Sequence, residues 1–490
     1  MSIILKIKEK INYIFDKSGN KQIVHLTYFF TGLLLALITY ISLFVVRNSD
    51  EVINNSYNKR ESLYEQYTYR GDILSSDGEV LAYSDINNSE KRVYPFGNIF
   101  AHVVGFNKKG KQGIESLANF RLLTSNIDYS EKFSNELSGI KNPGDSIVTS
   151  LNIKSQIAAY EALGNRKGAV IFMDAANGYI LAMVSKPDFD PNYIDFNWEN
   201  IINDKDNSIL LNRAMQGLYP PGSTFKILTA LEYIKENPNT DNYEFDCNGF
   251  FEYKGTRINC YHGASHGNVD FKKSFAKSCN SSFANITTKL NKNSFKDTCE
   301  ELLFNQELPS PALLYKRSSM NVYDSYVPIN NKSSIDELMQ TGIGQGKTSV
   351  TPYHMCLISA AIANDGVLMN PIIVKEIETA AGDHVKGAIV RPYKRLISLE
   401  DSVKLKELMR DVVTSGTGTC LYDTSGYIAY GKTGSAEYTS DKAKSHAWFT
   451  GFAEGENGAL VSISVIIEDG GSGGQVAAPV AKRVFDAYFN

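Results

Sequence analysis

Ile23 to Val46 is an apolar run whose only ionisable side chain of note is His25. As a helix it is long enough to cross a bilayer core, which takes about 20 residues. Lys6, Lys8, Lys10, Lys17 and Lys21 precede it, and Asp50 and Glu51 follow. The positive-inside rule then keeps residues 1–22 in the cytoplasm, makes 23–46 a single transmembrane anchor and exports everything after Arg47. A cleaved signal peptide is the competing reading, but its apolar region is usually shorter and no small-residue cleavage pattern follows Val46. The chain therefore reads as a single-pass protein of the cell membrane with an extracytoplasmic bulk. Ile3, Ile4, Ile7, Ile11, Ile14 and Phe15 alternate with the early lysines, a pattern for an amphipathic helix lying on the membrane surface.

The chain as a whole has the composition of a folded protein: 43% hydrophobic and 21% charged residues exclude disorder, and 490 residues allow more than one domain. A net charge of −4 with no long basic stripe excludes nucleic acid as a partner. Residues 47–145 read as a small mixed pedestal, in which Asp77-Gly78 is a two-residue hairpin signal between short apolar strands. Residues 146–490 read as a second domain. Strands are predicted over Ser146–Leu151, Ala169–Asp174 and Tyr179–Val184, and again over Tyr427–Thr433, Ala447–Ala453 and Leu460–Glu468. Between them lie helices over Phe271–Leu290, Ser294–Leu303, Pro352–Asp365 and Leu399–Val413, with Ile153–Leu163 before and Ala477–Phe489 after. Strands at both ends of a helical block predict an α+β architecture, one antiparallel sheet with helices against it.

Ser223-Thr224-Phe225-Lys226 follows Tyr219-Pro220-Pro221-Gly222 and opens a helical apolar pattern. Serine and lysine three residues apart on one helical face are close enough for proton transfer, and the helix N-terminus favours a forming alkoxide. The spacing alone is common, recurring at Ser18, Ser56, Ser138 and Ser274, so a serine that merely caps an ordinary helix is the competing reading of Ser223. Two later stretches answer only the Ser223 copy. Ser278-Cys279-Asn280 could bring a hydroxyl and a carboxamide into the same cleft from a loop between helices. Lys432-Thr433-Gly434 ends a predicted strand, where Lys432 would attract a carboxylate and lower the pKa of Lys226 by repulsion. Gly434 would let a substrate approach the backbone. Gly426, Gly431, Lys432 and Thr433 also fit a phosphate loop, but the residues between read as a strand in an exported segment. Gly344 to Thr348 comes close to the same phosphate-loop pattern but lacks its first glycine, which Thr341 replaces.

The order Ser-x-x-Lys, Ser-x-Asn, Lys-Thr-Gly resembles the class B penicillin-binding proteins, membrane-anchored peptidoglycan transpeptidases. Arg70-Gly71 with Leu81-Ala82, Ala101 to Gly105, Asn212-Arg213-Ala214, Gly416-Thr417-Gly418 and Ala447-Trp448-Phe449 resemble further family signatures. Ser75-Ser76-Asp77-Gly78 departs from the family's usual Asp-Arg-Asn-Gly. The resemblance implies a penicillin-binding, serine β-lactamase-like catalytic domain that cross-links stem peptides through an acyl-enzyme and is acylated by β-lactams. It implies that Ser223 is the nucleophile, Lys226 its base, Ser278 the proton relay and Asn280 the amide binder. Lys432 and Thr433 would hold the carboxylate, and the backbone N–H groups of Ser223 and Ser435 the oxyanion. It also implies a polytopic glycosyltransferase partner of the shape, elongation, division and sporulation (SEDS) family, because the family lacks a glycan-polymerising domain. Rival readings are a β-lactam sensor, a β-lactamase and a catalytically silent scaffold for a glycan polymerase.

Cys247, Cys260, His266 and Cys279 fall in one short region. Three thiolates and an imidazole make a closed tetrahedral set for structural zinc, and some class B relatives resemble this chain in having zinc there. A Cys247–Cys260 disulfide and a buried free Cys279 compete with that reading, and His262 is a substitute ligand. Cys299, Cys356 and Cys420 have no evident partner and read as core residues.

Overall fold

The computed structural model describes residues 21–53, 60–313, 320–437 and 444–490. The amphipathic surface helix expected before Lys21 lies outside them. The chain forms two compact units, residues 1–58 and 59–490. Within the first, helix α1 (Lys21–Ile53) contains the segment Gln22–Phe44, with a mean hydropathy of 1.8 and none of it buried. Such a helix is long and apolar enough to cross a membrane.

The second unit begins with a six-stranded sheet. Ile73–Leu74 and Val80–Asp85 form the hairpin expected at Asp77-Gly78, and Gly78 takes the left-handed φ of +83° that the turn needs. Ile73–Leu74 also pairs in parallel with Ser146–Thr149, which in turn pairs with Val374–Glu378 from far downstream. Three segments meet at one buried carboxylate: Arg70 Nε lies 2.5 Å and Arg92 Nε 2.7 Å from Glu115. Removing one member of such a group leaves a buried charge uncompensated, at about 3–5 kcal/mol. The Arg70-Gly71 signature is thus a structural ion cluster.

The rest of the unit is laid out as α2 (Ile153–Leu163), β1 (Gly168–Asp174), β2 (Ile180–Lys186), α3 (Lys226–Glu236), α4 (Phe271–Ala276), α5 (Asn280–Lys289), α6 (Pro352–Ala363), α7 (Leu399–Thr414), β3 (Tyr427–Glu437), β4 (Ser445–Gly455), β5 (Leu460–Ile467) and α8 (Ala478–Phe489). The five strands make one antiparallel sheet in the order β3-β4-β5-β1-β2. Both faces are covered. Val170 and Phe172 of β1 join Leu163 and Phe485 in a core on one face, while Ile171 and Met173 join the core of α6 on the other. Strand residues alternate between faces with period two, so double coverage explains why β1 reads as an unbroken apolar run.

Three expectations need correction. The helix predicted over Phe271–Leu290 is two helices, α4 and α5, broken at Lys277 to Cys279. The strand predicted to end at Thr433 continues to Glu437, which puts Lys432-Thr433-Gly434 in mid-strand, on an edge of the sheet. Cys299 and Cys356 are buried, but Cys420 is exposed: its short turn, Thr419–Leu421, buries Leu421 and leaves its neighbour outside.

Candidate active site

Ser223 sits on a single 3-10 turn, Gly222–Phe225, that runs into α3. The turn begins at Gly222, with φ +53°. Gly222 N–H donates to Gly344 O at 2.8 Å, and Trp448 Nε1–H donates to Pro220 O at 3.0 Å. A Cβ at position 344 would stand 2.0 Å from Gly222 O, so glycine there lets this loop back the serine turn. Gly434 meets a similar need from β3. A Cβ there would lie 3.1 Å from Pro221 O and from Thr224 Cγ2, so its smallness seats the strand against the serine turn. Behind Ser223, α3 is buried from Lys226 to Ile234, a rigid support for the serine turn.

The break between α4 and α5 creates the second motif. Ser278 N–H donates to Phe275 O at 3.1 Å and Cys279 N–H to Ser274 O at 2.9 Å, the Schellman closure of a helix end. That closure wants a left-handed residue, usually glycine. Ser278 fills it with φ +57°, at a cost of about 1–3 kcal/mol. Cys279 then caps α5, its Sγ accepting from Ser282 N–H at 3.4 Å. A continuous helix would turn Ser278 and Asn280 about 200° apart; the corner lets both reach the same amine.

That amine is Lys226 Nζ, which donates to Ser278 O and Asn280 Oδ1 at 2.7 Å each and to Ser278 Oγ at 3.3 Å. From β3, Lys432 Nζ donates to Ser278 Oγ at 2.8 Å and to Thr433 O at 3.1 Å. Ser278 Oγ thus lies between two buried amines, and among the described residues no carboxylate pairs with either. Burial pushes Lys226 down to about 8, against an opposing pull from the Cys279 and Cys260 thiols. Burial and then the charge of Lys226 hold Lys432 well below the usual lysine range. The repulsion expected to act on Lys226 therefore falls on Lys432, and desolvation lowers Lys226. None of the Lys226 bonds goes to Ser223 Oγ; such contacts commonly tighten only when a ligand is bound.

Thr433 Oγ1 lies 2.5 Å from Thr417 Oγ1, and Ser435 Oγ accepts from Gly473 N–H at 3.3 Å. In the sequence, Thr417 and Trp448 stand out only as parts of family resemblances, and Gly344 only inside the failed phosphate-loop match. Their roles are contacts with distant segments, which no local pattern encodes.

Cys247, Cys260, His266 and Cys279 converge beside the second motif, with their ligand atoms all within 4.8 Å of one another. Sγ–Sγ distances are 3.6 Å for Cys247–Cys260 and 3.7 Å for Cys260–Cys279, and Cys247 Sγ lies 3.4 Å from His266 Nδ1. No disulfide joins Cys247 to Cys260, since that bond needs about 2.05 Å. Zinc–sulfur bonds of about 2.3 Å in a regular tetrahedron give edges of about 3.8 Å, so the donor set fits the ion. The hydrogen bond with Cys279 holds the Cys260 thiol down, to about 3, while that with Cys260 raises His266. His262 is outside this set, with φ +52° on the wall of an adjoining cavity.

The family model of the penicillin binding protein transpeptidase domain matches residues 168–486, and that of the penicillin binding protein A dimerisation domain matches residues 70–147. The chain is 29% identical to the peptidoglycan D,D-transpeptidase PbpA of Mycolicibacterium smegmatis over 93% of its own length and 95% of that protein's. It is 29% identical to the peptidoglycan D,D-transpeptidase MrdA of Acinetobacter baumannii, over 82% of this chain and 66% of that one. Among solved structures, penicillin-binding protein A from M. tuberculosis as a ceftriaxone acyl-enzyme complex superposes with a TM-score of 0.77 at 26% identity, covering 88% of this chain and all of the other. A family match over well more than half of the chain, on the residues that build this cleft, makes the protein a member of the penicillin-binding protein transpeptidases.

Proposed function

We propose that the protein is a peptidoglycan D,D-transpeptidase in which Ser223 Oγ attacks the carbonyl between the two terminal D-alanines of a donor stem peptide. The observation that carries this reading is Ser278 Oγ held between Lys226 and Lys432 beside the serine turn. Lys226 takes the Ser223 proton as the ester forms. Ser278 passes a proton to the amine of the departing D-alanine as the peptide bond breaks. Asn280 binds the donor amide, and Lys432 and Thr433 hold the terminal carboxylate. The backbone N–H groups of Ser223 and Ser435 hold the oxyanion, β3 being an edge strand with unpaired backbone groups on its outer side. An acceptor amine then attacks the ester, forms the cross-link and returns the proton to Ser223. Residues 23–46 anchor the protein with residues 1–22 in the cytoplasm. Residues 47–145 form a pedestal and 146–490 the catalytic domain, outside the membrane, where a SEDS-family glycosyltransferase supplies glycan. Fluorescent penicillin tests this reading. A covalent label that is lost slowly is expected; rapid turnover would identify a β-lactamase, and absence of label a silent scaffold.

Zinc held by Cys247, Cys260, His266 and Cys279 would supply structural bracing only, tying the second motif to the strands Glu244–Cys247 and Thr256–Asn259. One zinc per chain is expected by metal analysis of the purified protein. Cys260→Ser is expected to lose it and to melt at lower temperature. Metal-free wild type with unchanged melting and acylation would end the zinc reading.

A further inference from the structure

Beside Asn280 opens a cavity of about 440 Å³ whose wall includes Arg257, Asn259, His262, Asn280, Gln345 and Glu437. Its lining sets the guanidinium of Arg257 and the carboxylate of Glu437 among amides, with the His262 imidazole and the Cys260 thiol also on the wall. Arg257 is exposed on the hairpin Phe250–Asn259, its guanidinium 3.8 Å over the Phe250 ring and its Nε bonded to Asn259 Oδ1 at 3.1 Å. These contacts hold the group in place and leave its terminal nitrogens for an anion. The hairpin is tied to the catalytic motif through Asn280 Nδ2–H, which donates to Asn259 O at 3.1 Å. Glu437 ends β3, half-buried. Among the described residues neither Arg257 nor Glu437 has an ion-pair partner.

The strand gives the cavity its place along the substrate. Thr433, Ser435 and Glu437 alternate onto one face of β3. Thr433 lies at the carboxylate end of the donor and Ser435 at the scissile carbonyl, so Glu437, roughly 7 Å beyond Ser435, lies beside the residue that precedes the D-alanine pair. Resting on the transpeptidase reading, we infer that this cavity is a specificity subsite for the donor's third residue. It takes a side chain ending in an amino-acid zwitterion, with Arg257 on its carboxylate and Glu437 on its ammonium. A diamino dicarboxylic residue carries such an end; a lysine-type residue offers only the amine.

The test uses three donor peptides that differ only at the end of the third side chain: a zwitterion, an amine alone or a carboxylate alone. Single-turnover acylation of the full-length protein without acceptor reports on the donor and excludes an acceptor effect. Benzylpenicillin titration counts the competent sites. The zwitterion donor is expected to react about tenfold faster than either other donor, as charge-assisted hydrogen bonds allow. Arg257→Ala is expected to erase its advantage over the amine donor, and Glu437→Gln its advantage over the carboxylate donor. A ratio is read in each case, so a variant that folds poorly lowers both rates and leaves the ratio. Equal rates for the three donors in wild type, or ratios unmoved in both variants, would overturn the subsite while leaving Ser223 acylation intact. If neither penicillin nor any donor acylates Ser223, the transpeptidase reading falls instead.

Discussion

A Ser223→Ala protein is expected to take no covalent label from fluorescent penicillin and to make no cross-linked product. The loss in acylation rate should be on the order of 10⁴-fold or more, because no other step can replace the missing bond to oxygen. Folding should barely change. Ser223 is half-buried and its turn is held by backbone and neighbouring groups: Gly222 N–H to Gly344 O, Trp448 Nε1–H to Pro220 O and Thr224 Oγ1–H to Pro221 O. The stability change should stay within about 0.5 kcal/mol. Gel fluorescence and intact-mass measurement check the first statement, and thermal unfolding the second. Label retained on the variant would move the nucleophile elsewhere in the cleft.

Lys226→Met is expected to slow acylation by about 10²–10⁴-fold, the usual contribution of a positioned base. Methionine keeps much of the volume at a buried position on α3 but takes no proton. The pH profile separates lost base chemistry from lost packing. Since burial lowers Lys226 to about 8, only above that pH is most of the amine free to accept a proton. Wild-type acylation should therefore rise about tenfold per pH unit below 8 and level off above it, and the variant should lack that limb. Stability carries the matching sign. Between about 8 and the ordinary value of 10.5 the unfolded chain binds a proton that the folded chain does not. Wild type should thus gain stability relative to Lys226→Met as pH rises through that window. A wild-type rate that is flat from pH 6 to 9 would remove Lys226 from the role of base.

The local patterns were legible where one segment sufficed. Ile153–Leu163 appears as predicted, and the Asp77-Gly78 turn joins the strands expected of it. Phe271–Leu290 misled because its apolar spacing is helical on both sides of Ser278. The break is made by left-handed backbone at a serine, where a sequence ordinarily announces it with glycine. Lys432-Thr433-Gly434 is evident in the sequence but reads as a strand end, because the alternation weakens over Gly434 and Ser435; edge pairing with β4 carries the strand on.

By itself the sequence determined the apolar helix long enough to cross a membrane, the α+β class, the three motif stretches and the four residues of the cysteine–histidine cluster, because each is written in side-chain type and short-range spacing. Only the tertiary structure decided what those residues meet. It turned Lys226 toward Ser278 and Asn280, set Lys432 on the other side of the same hydroxyl, and made burial the force that lowers the Lys226 amine. It placed Gly344 and Trp448 behind the serine turn and held Cys247 and Cys260 at non-bonded distance. Those facts depend on through-space distance and exclusion of water, which arise when segments hundreds of residues apart pack together.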